Sequence, residues 1–282
     1  MSEEKKLRNS KKNNRKQIFK IARILFTLAF IVIVWIMVRD WLVEQKAQKQ
    51  FEALQQSTEI VEPETEESTE TDVLAELGIN PMGKNLNWDE LKATNEHIYA
   101  WIYIPNTNVD YPVLQHPTDD TYYLDYNLDG TKGYPGCIYS EHRYNSTDWT
   151  DFNTLLYGHN MKNGTMFRTL HNFEDRSFFE ENRYIYIYTP DYVYVYDIFA
   201  AYANEAKHIL VVYDNSTEAG RLQYLNDLFS IRSMSAHFRN DVEVTADSNI
   251  LTLVTCISGQ PDQRYFVQGV LVNPVESEEV TE

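Results

Sequence analysis

The sequence predicts a mainly β protein, an eight-stranded closed or nearly closed barrel with N-terminal and inserted helices, preceded by one membrane-spanning helix. Three observations predict it. Eight short runs rich in Tyr, Val and Ile lie between residues 100 and 272, each bounded by Pro, Gly, Asn or Asp, the pattern of strands separated by turns. No internal repeat divides them. A strongly apolar stretch precedes them near the N-terminus. Of the 282 residues 43% are hydrophobic and 13% aromatic, with 20 Tyr, so the chain can bury a core and disorder throughout is excluded.

Taken in order, residues 1–23 hold nine Lys or Arg against two Glu, a balance of +7 in a chain whose net charge is −17. The apolar run Ile24 to Val38 follows. Its 15 residues rise only about 22 Å as a helix, short of a hydrocarbon core of roughly 30 Å. Adding Ile21 on one side and Trp41 to Val43 on the other makes 21–43 long enough to span. Arg23 and Arg39 then snorkel to the two interfaces, and Trp35 and Trp41 lie near the outer headgroups. No A-x-A-like site follows Val38, which favours a retained anchor over a cleaved signal peptide. The basic residues hold 1–20 in the cytoplasm and put the acidic remainder outside the cell. Residues 44–85 read as a stalk and linker: Glu44 to Gln56 is polar and helix-compatible, and Ser57 to Asp72 is low in complexity and rich in Glu and Thr. That segment has too little apolar surface to offset its ordering entropy. Residues 86–273 are the folded domain and 274–282 an acidic tail.

Within the domain, Asn87 and Glu90 mark a capped helix start, and Trp88, Leu91 and Ile98 extend the helix to about His97. The strands are AWIYIP, VDYPVLQ, GCIYS, TLLYGH, YIYIYT, YVYVYDIFAAY, NILTLVTC and RYFVQGVLV. YIYIYT and YVYVYDI are joined by Pro190 and Asp191 as a hairpin with alternating faces. Two further helices are predicted. One lies around Met166 to Leu170. The other runs from Thr217 to Phe229, capped through Asn215 and Glu218, with Leu222, Leu225 and Phe229 on one face.

The composition excludes several function classes. An acidic chain lacks the surface for nucleic acid, so no nucleic-acid partner is expected. Two cysteines cannot build a disulfide scaffold, and no C-x-x-C is present. Neither H-E-x-x-H, a Walker A loop, G-x-G-x-x-G nor G-x-S-x-G occurs.

Three residues could carry chemistry. Cys256 ends a buried strand before the loop ISGQPDQ, and a nucleophile needs both that rigidity and that access. It also fits as a small packed hydrophobe, the commoner fate of a free Cys. His159 follows LLYG at another strand end, where imidazole can exchange protons with a thiol or an amine. The other six histidines, His97, His116, His142, His171, His208 and His237, lie in polar or loop-like contexts that suit surface residues. Arg264 is the one basic residue after Cys256. A hairpin could bring its permanent charge beside the thiol to stabilise a thiolate or oxyanion, and it fits equally as a strand-end surface residue.

Together these signals resemble a known family. TLVTC (252–256) followed by Arg264, with LLYGHNMKNGTMF (155–167) upstream, is similar to the sortase signature. Four further segments resemble class B sortases: the YGHNM element, the helix leading into YAWIYIPNTNVDYPVLQ (99–115), TYYL (121–124) before GCIYS, and the long helix-bearing segment between FFEENRYIYIY and TLVTC. The resemblance spans about 86–273. It implies the sortase-type barrel and assigns His159, Cys256 and Arg264 as catalytic, with the Thr255 hydroxyl helping to bind the substrate or the oxyanion. Val254 stands where class B members often have Ser, and Cys137 where a small or apolar residue is usual. Cys137 is expected to be a packed thiol. It could pair with Cys256 only if their Cα atoms came within about 7 Å.

The implied activity is cleavage of a C-terminal sorting motif of another surface protein after a Thr, through a thioacyl-enzyme, and transfer to an amine of lipid-linked peptidoglycan precursor. A membrane partner follows from the anchor, and neither a metal nor another cofactor is needed. Class B relatives prefer peptides of the N-P-x-T-N or S/N-P-x-T-G kind. Three alternatives stay open: a pilin-polymerising sortase with a different acceptor amine, a thiol peptidase that hydrolyses its acyl-enzyme, and a non-catalytic tethered binding domain.

Overall fold

The computed structural model describes residues 3–58, 60–61 and 83–276, with side chains over 15–58 and 84–272. Most of the expected linker and the tail beyond Glu276 lie outside these residues. Two compact units divide the chain, Met1–Lys46 and Ala47–Glu282.

The first helix, α1, is Glu3–Ser57. In the first unit its apolar side chains, from Ile18 through Phe26, Ile33 and Trp35 to Leu42, are exposed. A window of this helix reaches a mean hydropathy of 2.7 with none of it buried, so it is long and apolar enough to cross a membrane. In the second unit the last turns of α1 behave differently. Ala47, Phe51 and Leu54 are buried, Phe51 meets the Tyr111 ring edge-on at 5.4 Å, and Gln55 Nε2 donates to the Asp110 carbonyl at 2.6 Å. From Ala47 onward this part of the expected stalk packs within the second unit. Burying Phe51 alone is worth about 2–3 kcal/mol.

The eight predicted runs form the barrel strands: β1 (Ile98–Tyr103), β2 (Asp110–Leu114), β3 (Ile138–Tyr139), β4 (Asn153–Tyr157), β5 (Tyr184–Tyr188), β6 (Tyr192–Glu205), β7 (Ile250–Ile257) and β8 (Gln260–Glu276). Their order is β8-β7-β4-β3-β2-β1-β5-β6, and pairing of β6 with β8 closes the ring. Only β4/β7 and β2/β3 are parallel. The short strand His237–Phe238 adds to β6 outside the ring, and Ile60–Val61 pairs with Gly83–Lys84 as a separate ladder. β8 keeps its pairing with β6 as far as Glu276, beyond the expected start of the tail.

The helices are α2 (Trp88–Thr94), α3 (Tyr122–Asp125), α4 (Arg176–Glu181), α5 (Ile209–Val212) and α6 (Glu218–Ser230), with a 3-10 helix at Phe167–Glu174. Asn87 caps α2 by accepting from the Glu90 amide at 3.1 Å. The helix stops at Thr94 rather than near His97, because Ile98 already belongs to β1. The cap of α6 is Thr217, whose hydroxyl accepts from Gly220 N, not Asn215. Its buried face is Tyr224, Leu225 and Leu228, whereas Leu222 and Phe229 are exposed. The reason lies in a polar network: Tyr224 OH receives Gln268 Nε2, which also donates to Thr252 Oγ1 at 2.6 Å, and Thr252 in turn donates to Asn153 Oδ1 at 2.7 Å. Two strands and the strand-β4 terminus thus fix the rotation of α6.

Two apolar clusters follow from strand alternation. Leu251, Leu253, Tyr265 and Val267 point into the barrel with Ile102, Ile187 and Tyr196. Ile250, Val254, Phe266, Val270 and Leu155 point outward, under the β6–β7 insertion that carries α5 and α6.

Candidate active site

The outward row is where the chemistry lies. In the antiparallel β7/β8 pair, Cys256 sits opposite Arg264, so both side chains leave the sheet on one face. In the parallel β4/β7 pair, Leu156 is opposite Leu253 and Tyr157 opposite Val254. Gly158 N donating to Val254 O at 3.2 Å extends that ladder. Beyond the strand end, the segment carrying His159 stays beside that of Cys256: Thr255 Oγ1 bonds the Gly158 carbonyl at 2.8 Å and Asn160 Nδ2 the Cys256 carbonyl at 2.7 Å. One row deeper lie Tyr139, Tyr157, Val254, Phe266 and Tyr202, paired in sequence across β3, β4, β7, β8 and β6. The three sequence-predicted chemical residues therefore share one edge of the sheet, above an aromatic floor, although His159 and Cys256 are far apart in the chain.

Cys256 is exposed and in no disulfide. His159 Nε2 is 2.9 Å from the Leu124 carbonyl of α3, and the Tyr134 ring lies edge-on to the imidazole at 5.1 Å. A carbonyl only accepts, so Nε2 carries the hydrogen and Nδ1 is left for exchange with a reacting group. Gly158 is required just before it. A Cβ there would stand 2.6 Å from Ile138 Cδ1 and from the Phe167 ring, so the strand could not approach this closely with any other residue.

Arg264 does not bond the thiol. Its Nη1 donates to the carbonyls of Pro261 at 2.9 Å and Gln263 at 2.8 Å, within its own hairpin. Nε and Nη2 make no hydrogen bond with the described residues. The loop expected after Cys256 is a tight turn at Ser258 and Gly259, since β7 continues to Ile257 and β8 begins at Gln260.

Thr255 has a different setting from the substrate contact expected of it. It is buried, points to the barrel interior, and its Oγ1 donates to the Gly158 carbonyl at 2.8 Å. Alternation along β7 turns it away from the face of the thiol, so its hydroxyl acts on the backbone that carries His159. Cys137 is a packed free thiol, 1% exposed, whose titration is pushed well up by burial.

Sequence reasoning missed three residues. Asn160 Nδ2 donates to the Cys256 carbonyl at 2.7 Å, and His171 Nε2 lies 3.1 Å from the same oxygen. His171 Nδ1 meets Glu174 Oε1 at 2.6 Å. Asn160 adjoins His159, and that adjacency was the one available signal. His171, grouped with surface histidines, is mostly covered, and His237 is buried with Nε2 on the Glu174 carbonyl at 2.9 Å. Among the described residues no group of His, Cys, Asp or Glu is arranged to hold a metal ion.

Comparison with known proteins agrees with this architecture. The sortase domain family model matches residues 102–272. Sortase B of Listeria monocytogenes is 30% identical over 185 residues, covering 65% of this chain and 73% of the relative. The crystal structure of Clostridium perfringens sortase B superposes with a TM-score of 0.59 at 30% identity, covering 66% of this chain and 100% of that one. Sortase B of Bacillus anthracis gives 0.61 at 26% identity, covering 83% and 97%. A closed eight-stranded barrel, an exposed cysteine at a strand end and a family match over most of the domain lead to one conclusion: the chain belongs to the sortase family, in its class B branch, and is a cysteine transpeptidase.

Proposed function

We propose that His159, Cys256 and Arg264 are the catalytic residues, and that the enzyme joins sorting-signal peptides of surface proteins to an amine of peptidoglycan at the outer face of the membrane. The observation that carries this reading is that Cys256 and Arg264 face each other across β7 and β8, while His159 follows two residues after the neighbouring strand β4. The Cys256 thiolate attacks the carbonyl carbon of the Thr at the scissile bond, forming a C–S bond. Arg264 donors stabilise the oxyanion of the tetrahedral intermediate. As the C–N bond breaks, His159 gives its proton to the departing amine, leaving a thioacyl-enzyme. An incoming amine then attacks the thioester and yields its proton to His159, and the thiolate leaves. The buried apolar row beneath Cys256 backs the site and helps exclude water, which favours the amine over hydrolysis.

The apolar helix supports a membrane anchor, and the nine basic residues before it support a cytoplasmic N-terminus. Tethering confines the enzyme with a lipid-linked acceptor and raises their effective concentration.

The test is transfer by the full chain in detergent micelles, with a peptide library of the Asn-Pro-x-Thr-Asn and Asn-Pro-x-Thr-Gly patterns. The library is tried with and without peptidoglycan-type amines, and mass spectrometry identifies the products. An amide joined to the acceptor is expected. Hydrolysed peptide unchanged by any amine would make the protein a thiol peptidase, and transfer only to a pilin lysine would make it a pilin polymerase. In intact cells, a membrane-impermeant maleimide is expected to label Cys256; labelling only after lysis would reverse the orientation.

A further inference from the structure

Two hydrogen bonds tie the segment carrying the imidazole to the segment carrying the thiol. From the residue before Cys256, Thr255 Oγ1 donates to the carbonyl of the residue before His159, at 2.8 Å. From the residue after His159, Asn160 Nδ2 donates to the carbonyl of Cys256 itself, at 2.7 Å. The second tie answers a local need. β4 ends at Tyr157, and the last bond that follows its parallel ladder with β7 runs from Gly158 N to the Val254 carbonyl at 3.2 Å, so the ladder stops short of the Cys256 carbonyl, which points to the same side two residues on. The Cys256 carbonyl must then find a partner outside the ladder.

The groups supplying that partner are themselves held. Arg168 Nη1 donates to Asn160 Oδ1 at 3.3 Å, which turns the amide so that Nδ2 faces the carbonyl. His171 Nε2 lies 3.1 Å from the same carbonyl and 3.0 Å from Asn160 Nδ2. Its Nδ1 carries a hydrogen, because its partner at 2.6 Å is the Glu174 carboxylate, an acceptor, which leaves Nε2 to accept the second Asn160 Nδ2 hydrogen at 3.0 Å. The ring stacks on Tyr265 with centroids 4.9 Å apart and planes at 26°. A side chain fixed at both nitrogens and along one face has little freedom left.

We propose that Asn160 and the His171–Glu174 pair are positioning residues for the nucleophile: Asn160 pins the Cys256 carbonyl, the pair holds the Asn160 amide in place, and through that carbonyl Sγ is aimed at His159. This rests on the reading of Cys256 as the nucleophile. Pinning the carbonyl fixes the peptide plane after Cys256 and hence the direction of its Cα–Cβ bond. The end of a strand, beside an exposed turn, otherwise frays easily. Nucleophilic attack requires the reacting atoms at about 3–3.5 Å, and a misplacement of about 1 Å costs roughly a hundredfold in rate.

The experiment compares Asn160→Asp, His171→Phe, His171→Gln and Cys256→Ala in the full chain. It measures kcat and KM for peptide transfer, the rate of Cys256 alkylation by iodoacetamide, and the melting temperature. Asn160→Asp keeps the shape but turns an acceptor toward the carbonyl, and is expected to lower kcat about tenfold or more with KM within about twofold. His171→Phe keeps the stack on Tyr265 but has no acceptor for Asn160 Nδ2, and is expected to lower kcat about threefold to tenfold. His171→Gln restores an acceptor and is expected to recover most of that loss. Wild-type kcat in both Asn160→Asp and His171→Phe would overturn the proposal. So would a kcat loss that follows melting temperature and is not recovered by His171→Gln. If Cys256→Ala itself retained transfer, the nucleophile assignment would fail and this proposal with it. If Cys256→Ala were inactive while the other variants matched wild type, the positioning role alone would be wrong.

Discussion

Cys137 and Cys256 are the same side chain in opposite settings, and the contrast explains how the barrel makes a site. Cys137 precedes β3, is 1% exposed, and has its titration pushed well up by burial, so it stays a neutral packed thiol. Cys256 is the last residue but one of β7, on the outer face, exposed, with Arg264 opposite and the segment of His159 tied alongside through Asn160. The buried cysteine's segment nevertheless serves the exposed one. The Cys137 amide donates to the Tyr123 carbonyl at 2.9 Å, holding α3, and the next carbonyl of α3, that of Leu124, receives His159 Nε2. One region supplies rigidity and the other reactivity.

The sharpest way to break this comparison is to exchange the two losses. Cys256→Ala is expected to lower transfer by about a thousandfold or more while leaving the melting temperature unchanged. Cys137→Ala is expected to keep turnover within about twofold and to lose about 1 kcal/mol of stability, read by denaturant unfolding. Next in size is Gly158→Ala. The new methyl would collide with Ile138 and Phe167, so stability should fall by about 1–3 kcal/mol and kcat by about tenfold, through displacement of His159. Thr255→Val keeps the shape and removes the tie to the Gly158 carbonyl. It is expected to cost about 1 kcal/mol, with kcat reduced more than KM is raised. A rise in KM alone would return Thr255 to a substrate contact.

The smallest expected effect concerns pH on the rigid side. His97 bonds Tyr123 OH at 2.7 Å, and its imidazole titration is lowered first by burial and then by His116. The folded state thus disfavours its protonation. Its contribution to stability is complete above the ordinary imidazole range, near 6.5, and declines as pH falls through that value toward the lowered one. The drop in melting temperature between pH 7.5 and 5 should therefore be smaller in His97→Gln than in wild type.

The barrel was legible because each strand announces itself twice, by Tyr, Val and Ile in the run and by Pro, Gly, Asn or Asp at its ends. The site was legible as three residues at strand ends, joined by the resemblance of their motifs. What escaped was decided by contacts distant in sequence. Ala47, Phe51 and Leu54 form a narrow apolar stripe in a helix dominated by Gln, Lys and Glu, and only the barrel surface gives the stripe a partner. Tyr224 displaced Leu222 and Phe229 from the buried face of α6 because its hydroxyl completes the Gln268 network. Ile98 looked like the last turn of α2, but its backbone pairs with Leu114. Asn160 and His171 serve a carbonyl, an atom every residue has, so nothing in their identity marked them.

The most direct test of the account is to trap the acyl-enzyme of the full chain with a sorting peptide, digest it, and locate the added mass. The account requires a thioester on the peptide containing Cys256, cleared by an added amine. The same mass on Cys137, or undiminished transfer by Cys256→Ala, would contradict it.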